Sequence, residues 1–280
     1  MTNTIIGANG DMGKNLLIGF LKKLGPVVKV DKNSSPRQWE KGWKSEVIWL
    51  SVPRGEIPKI LKTAKLKPSQ LVVDICSLKK GLSKVIAKTG AVHLSLHPLQ
   101  GPFVPLKFQK WVVIKPKKNP RIKQILKFLT SQKIRLVDSV SEQEHDFMMG
   151  LSLGMSELLT VIVEMLLDTQ KVPGSNGRKL TINKMFDWST PAFSLMLGFY
   201  AHVINSTPVW LRKELALDSG DHFLSSFRKI LTTFARLPNN KLKAIIEHQS
   251  QKVKKQLNLS QQLEISKLVN EAFVDFNTIV

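Results

Sequence analysis

The sequence predicts a doubly wound α/β domain over residues 1–140 and an all-helical domain over 141–280. Three observations carry that reading. Short β-branched runs alternate with helical patterns as far as residue 138, as in a parallel sheet with helices on both faces. Beyond Ser141 the strand signal stops and long apolar helical stretches take over. A glycine-rich turn, IIGANGDMG at residues 5–13, joins the first strand to the first helix.

The elements follow in order. NTIIG (3–7) is the first strand, and a helix runs from Met12 to Leu24. Gly25-Pro26 marks the join to PVVKV (26–30), and EVIWLSV (46–52) is the third strand. A helix from Ile57 to Ala64 and a break at Pro68-Ser69 precede LVVDIC (71–76). A helix from Leu82 to Lys88 leads to VHLSL (92–96), then to WVVIK (111–115). Asn119-Pro120 opens a helix that ends at Ser131, and IRLVD (134–138) closes the domain. Several of these strands are apolar throughout, as strands covered on both faces require. Ser141-x-x-Glu144 is a capping box that starts one long helix, apolar nearly all round, to about residue 170. VPGSNGRK (172–179) breaks it, and further helices are expected near 180–188, 192–206, 208–216, 220–236, 239–256 and 259–278.

Composition narrows the class. No apolar run approaches the roughly 20 residues that span a bilayer. The N-terminus passes straight into a strand, without the basic-then-apolar pattern of a signal peptide. The one cysteine, Cys76, excludes an internal disulfide, fits a reducing compartment and reads as a small buried residue. A cytoplasmic protein is expected. No Cys/His cluster has metal-ligand spacing, so no metal is expected. The net charge of +21 is concentrated in the first half, where 27 basic face 10 acidic side chains, against 15 and 11 after residue 150. The lysines are scattered over many elements rather than forming one stripe interleaved with aromatics. A solvated basic surface is the reading, and a nucleic-acid partner is not expected.

The chemistry lies at strand ends. Gly7, Gly10 and Gly13 are spaced by three, one residue longer than the usual dinucleotide fingerprint, but they follow a first strand and open a helix. Gly7 makes the turn, Gly10 lets a pyrophosphate approach, and Gly13 lets the helix pack on the strand. The loop residues Asn9, Asp11 and Met12 join them as candidate cofactor contacts. Asp31, at the end of the second strand, is placed to accept from the ribose hydroxyls of NAD, while Lys32 beside it leaves NADP open. Ser77 and His97 end the next suitable strands at the edge where open α/β sheets bind ligands. His97 suits acceptance of a proton from an alcohol as hydride leaves. Ser77 is expected either to hold that imidazole in one tautomer or to hydrogen-bond the substrate. His93, within a strand, reads as structural.

These segments together resemble the prephenate dehydrogenases. IIGANGDMGKNL, VIWLSVP, VVDICSLKKG, HPLQGP and EQEHDFMMG occur in the order of that family's glycine loop, S-V-P strand end, D-x-x-S-x-K turn, H-P-x-x-G-P segment and E-H-D helix start. The resemblance runs from about residue 3 to about 215. It implies a Rossmann-like N-terminal domain, a helical domain that forms a homodimer, and oxidative decarboxylation of prephenate or its aminated relative arogenate on the route to tyrosine. It also implies that His97 is the catalytic histidine, that Ser77 is its partner, and that Ser51 and Pro53 lie at the cofactor.

Two positions depart from the family. The family's carboxylate-gripping Arg aligns with His202, and a neutral imidazole cannot make the two-pronged pair of a guanidinium. The His found in prephenate-using members twelve residues after the E-H-D histidine aligns with Glu157. Both positions are candidate substrate contacts. A carboxylate there favours a substrate that carries an amine, arogenate or an amino-deoxy analogue, or weakens activity on prephenate. Arg212 and Lys213 are candidate replacements for the missing charge. His145 and Asp146 read as capping and joint residues. An alternative outside enzymes is a degenerate family member that binds dinucleotide or nucleic acid without turnover.

Overall fold

The computed structural model of the 280-residue chain describes all residues except 172–175, 180, 188–189, 207–208, 219–220, 257–259, 262–263, 265–266, 269–270 and 273–280. It divides into two compact units, Met1–Met149 and Gly150–Val280.

The first unit is built on seven strands: β1 (Asn3–Ile6), β2 (Val27–Val30), β3 (Val47–Leu50), β4 (Leu71–Asp74), β5 (Val92–Pro98), β6 (Lys110–Ile114) and β7 (Arg135–Val140). Each lies within two or three residues of its sequence expectation. Their order in the sheet is β2-β1-β3-β4-β5-β6-β7, and all neighbours are parallel except β5 and β6. The reversal has a simple cause. Residues 99–109 between β5 and β6 hold only a short 3-10 turn, Leu106–Phe108, and a parallel return needs a longer crossover, usually a helix.

A π-type turn over Met12–Leu17 runs into α1 (Ile18–Leu21). Then come α2 (Pro36–Trp43), α3 (Ile57–Lys62), α4 (Leu82–Ala87), α5 (Pro120–Ser131) and α6 (Glu142–Met149). Helix α2 was not foreseen from the sequence, because only Trp39 and Trp43 mark its apolar face. Its signal is the start: Ser35 caps it by accepting from the Gln38 N–H, and Pro36 fits the first turn.

Two cores sandwich the sheet. On one face Ile5, Trp49, Val73 and Trp111 pack against Leu17, Phe20 and Leu21 and against Ile125 and Leu129 of α5. Phe20 stands edge-on to Trp49 and Trp111, with centroids 6.3 and 5.7 Å away, and stacks on Phe128 at 5.8 Å. On the other face Ile6, Ile48, Leu50 and Val72 pack against Ile57, Leu61, Leu82 and Ile86, flanked by Trp39 and Trp43. Both faces are therefore covered, which is why several of these strands read as apolar throughout.

The second unit is helical: a π-type turn over Gly150–Gly154, then α7 (Met155–Thr169), α8 (Ile182–Asp187), α9 (Pro191–Ser206), α10 (Val209–Asp218), α11 (Asp221–Arg236) and α12 (Asn239–Gln256). The helix expected over 259–278 falls largely outside the described residues. The division between the units comes at 149/150, nine residues beyond the sequence boundary, inside the expected long helix. The Ser141 half of the capping box is formed, with the Glu144 N–H donating to Ser141 Oγ at 3.1 Å.

One expectation is corrected. The helical run Glu142–Thr169 is 28 residues long and its most apolar window has a mean hydropathy of 1.6, enough by length and composition to cross a membrane. Three of its polar members are buried with partners within the protein: His145 and Asp146 are hydrogen-bonded in the first unit, and Glu157 is ion-paired in the second.

Phe20 ties two tryptophans and α5 to the same core. Replacing Phe20 by Ala should cost about 3–5 kcal/mol, read as a lower midpoint in urea unfolding followed by tryptophan fluorescence.

Candidate active site

The strand order puts a topological switch point between β1 and β3, the crevice where open α/β sheets bind ligands. The glycine turn sits there. The N–H groups of Gly7 and Ala8 donate to the Val30 carbonyl at 2.9 and 3.2 Å, so the turn is tied to β2. Gly7 adopts φ +86°, and a Cβ on it would lie 2.1 Å from the Ser51 carbonyl oxygen. A Cβ on Gly13 would lie 2.3 Å from the Gly7 oxygen. Both glycines are required by the packing of the chain on itself. Gly10 is different: its φ is ordinary, and a Cβ there would meet only the Gly7 oxygen at 3.5 Å, a normal contact. The protein's own packing does not require Gly10.

Asp31 closes the other side. Its carboxylate accepts from the N–H groups of Asn9 at 2.9 Å and Lys32 at 2.8 Å, so it ties the loop to the end of β2. Asp11 and Met12 begin the helical turn, whose first N–H groups have no carbonyl one turn earlier. Ser51 and Pro53 follow β3, the backbone of Ser51 abutting Gly7. The sequence-predicted loop residues, Asp31 and Ser51 are thus brought to one place.

His97 lies at the carboxyl end of β5, 3% exposed. Its Nδ1 is 2.9 Å from His145 Nε2 on α6, and His145 Nδ1 is 2.8 Å from Asp146 Oδ1. Asp146 also accepts from the backbone N–H groups of Lys79, at 2.8 Å, and Lys80, at 2.7 Å. These partners assign the protons. The Asp146 carboxylate accepts, so His145 Nδ1 donates, and with His145 neutral its Nε2 carries a lone pair. His97 Nδ1 must then donate, and His97 Nε2 is left as an acceptor. Burial, the Lys79 ammonium and His145 push the His97 imidazole well below its ordinary value, with Asp74 pulling weakly the other way. The ring is a neutral base with a defined tautomer.

A second chain runs beneath. Lys79 is fully buried, and its ammonium donates to Asp74 Oδ1 at 2.6 Å and to the Leu96 carbonyl at 2.7 Å. His93 Nε2 is 2.7 Å from the other Asp74 oxygen. Burial alone would raise the Asp74 carboxyl, but Lys79 and His93 overcome it and hold it well below the carboxylate range. Removing one partner of such a buried pair costs about 3–5 kcal/mol, because the other charge is stranded.

Ser77 is half-buried at the β4 edge, and its hydroxyl makes no hydrogen bond among the described residues. The expectation that Ser77 sets the imidazole's tautomer is corrected: His145 occupies that nitrogen. Cys76 is buried, as expected. His145 and Asp146, read from the sequence as capping and joint residues, are links of the chain. Lys79 and Asp74 carried a signal that went unused: two charges five residues apart at the end of an apolar strand.

In the helical unit Glu157 is buried and accepts from Arg212 Nε at 2.8 Å, and Arg212 Nη2 lies 3.6 Å from Glu164. The Glu157 hydrogen bond raises Arg212 above its already high value. His202, on α9, is exposed.

No protein-family model matches the chain, and no curated protein sequence matches it. Solved structures do. Prephenate dehydrogenase from A. aeolicus in complex with hydroxyphenyl propionate and NAD+ is 14% identical, with a TM-score of 0.64, over 96% of this chain and 97% of that one. Synechocystis arogenate dehydrogenase is 13% identical, with a TM-score of 0.59, over 92% of this chain and 100% of that one. At these identities the likeness is one of fold: a Rossmann-like sheet followed by a helical region.

The proton assignment is measurable. Histidine-selective 15N NMR should show His97 as the Nδ1–H tautomer, titrating well below the usual imidazole value of about 6.5. Because the unfolded imidazole takes up its proton first, His97's contribution to stability is present above about pH 6.5 and is lost as pH falls below it.

Proposed function

We propose that this chain is an NAD-dependent dehydrogenase that oxidatively decarboxylates prephenate or its aminated relative arogenate. The observation that carries the reading is the defined lone pair on His97 Nε2, at the same sheet edge as the glycine turn and Asp31. The fold it shares with an arogenate dehydrogenase and an NAD+-bound prephenate dehydrogenase supports it.

The residues fit a dinucleotide. Gly10 is a glycine that neither φ nor packing demands, as expected where a pyrophosphate must approach the backbone. Asp31 presents a carboxylate beside the loop for a ribose diol, which favours NAD, and Lys32 next to it admits NADP. Bound NAD would supply the hydride acceptor. His97 Nε2 accepts the proton of the ring hydroxyl as the C–H bond breaks, carbon dioxide leaves and the ring becomes aromatic. His145 and Asp146 keep His97 in the accepting tautomer throughout, and Ser77 offers its hydroxyl to the substrate.

In the helical unit Arg212 is the candidate guanidinium in place of His202, and it is already paired with Glu157 and Glu164. The carboxylate that favoured an amine-bearing substrate is therefore already paired, and prephenate and arogenate stand as equal candidates. The unit exposes Met165, Ile230 and Phe234 at 60, 64 and 53%, large apolar side chains that a second copy of the chain would cover. A cytoplasmic homodimer is proposed, with no nucleic-acid partner.

A panel of prephenate, arogenate and amino-deoxyprephenate with NAD and NADP tests the reading. Turnover of at least one is expected. His97→Asn should lower it by about a hundredfold or more while sparing NADH affinity in a fluorescence titration. Absence of NADH binding, or full activity of that variant, overturns it. Light scattering should report twice the 31.5 kDa chain mass.

A further inference from the structure

Lys79 touches His97's supports from two directions. Its side chain donates to the Leu96 carbonyl, the oxygen of the peptide bond that joins Leu96 to His97. Its backbone N–H donates to Asp146, which anchors His145, which holds the imidazole. The contacts close a ring: Lys79 to the His97 backbone, His97 to His145, His145 to Asp146, and Asp146 back to Lys79.

The ring follows from where β4 stops. The β4–β5 ladder ends at the pair Asp74 and Ser95, so it does not extend to Leu96. The chain leaves β4, and five residues on Lys79 folds its ammonium back against Leu96 and Asp74. Asp74 is seated in turn by the Cys76 N–H at 3.2 Å and by His93, whose side chain is 14% exposed and forms the outer end of the chain. A fully buried ammonium needs a reason, because a neutral side chain of similar length would avoid its desolvation. Here the charge holds one backbone carbonyl and stands beside the base.

We propose that Lys79, seated by Asp74 and His93, is a positioning residue for His97, holding both the peptide and the imidazole of the base in place. The inference rests on His97 being the base of the reaction proposed above. The titratable and charged groups that the described residues place around His97 are His145 and Asp146 from α6, Lys79 from the β4–α4 turn, Asp74 from β4 and His93 from β5 itself. Of these, Lys79 opposes a positive charge on His97 more strongly than Asp74 favours it.

Two variants test this. Lys79→Met removes the ammonium and keeps the N–H that Asp146 needs, but it strands the Asp74 charge. The double variant Asp74→Asn with Lys79→Met removes both charges while keeping the volume, and so preserves the fold. In the double variant kcat should fall about ten- to a hundredfold, with NADH affinity unchanged. The acid limb of kcat/KM and the His97 titration in histidine-selective 15N NMR should both move to higher pH. Lys79→Arg, which keeps the charge, should restore the wild-type His97 titration. A folded double variant whose His97 tautomer, titration and kcat all match the wild type overturns the proposal. The NMR arm needs no turnover: if the wild-type protein oxidises none of the three substrates, the enzymatic reading fails while the titration still decides the role of Lys79.

Discussion

A buried ammonium beside a buried carboxylate, Lys79 against Asp74, is the constraint around which the first unit's polar interior is arranged. Neither charge is tolerable alone in a region with no access to water. Together they bring the turn after β4 back over the end of β5. That return exposes the N–H groups of Lys79 and Lys80 to Asp146, and so draws the start of α6 into the same unit. The contact explains why the division of the chain falls after Met149 rather than at the end of β7.

The two histidines in contact differ in what surrounds them. His145 has a carboxylate on one nitrogen, whereas His97 has His145 on one nitrogen and feels the Lys79 ammonium more strongly than the Asp74 carboxylate. The carboxylate is thus one residue removed from the base. It sets the direction of both hydrogen bonds without adding charge next to His97. A base arranged this way takes a proton only when a ligand presents one, since burial and Lys79 oppose protonation from solvent. At the sheet's switch point, the glycine turn uses Gly7 and Gly13 for self-packing and leaves Gly10 unconstrained by the chain.

Much of this was legible in the residues. All seven strands were, from β-branched runs between turn residues, several of them apolar throughout because both faces of the sheet are covered. The glycine turn and Asp31 were legible because φ and close approach restrict residue type. Helix α2 was not, since its apolar face is two tryptophans and its start depends on Ser35 and Pro36. The direction of β6 was missed because it depends on what is absent between residues 99 and 109, a crossover helix. Around His97, the place at a strand end was legible, whereas Ser77 was the neighbour the sequence offered for its ring. The hydroxyl is close in sequence and the true partner, His145, lies 48 residues on.

The sequence by itself determined the seven strands, the change to helices after them and the glycine turn that follows β1, because periodicity and backbone geometry are local properties. Tertiary structure alone decided which groups face each other: His145 on His97, Asp146 on the Lys79 backbone, Lys79 on Asp74, and Glu157 on Arg212. Those pairings depend on burial. A charge or an imidazole removed from water must find a partner within hydrogen-bond reach, and which partner is within reach is settled only once the strands have ended and the helices have packed across them.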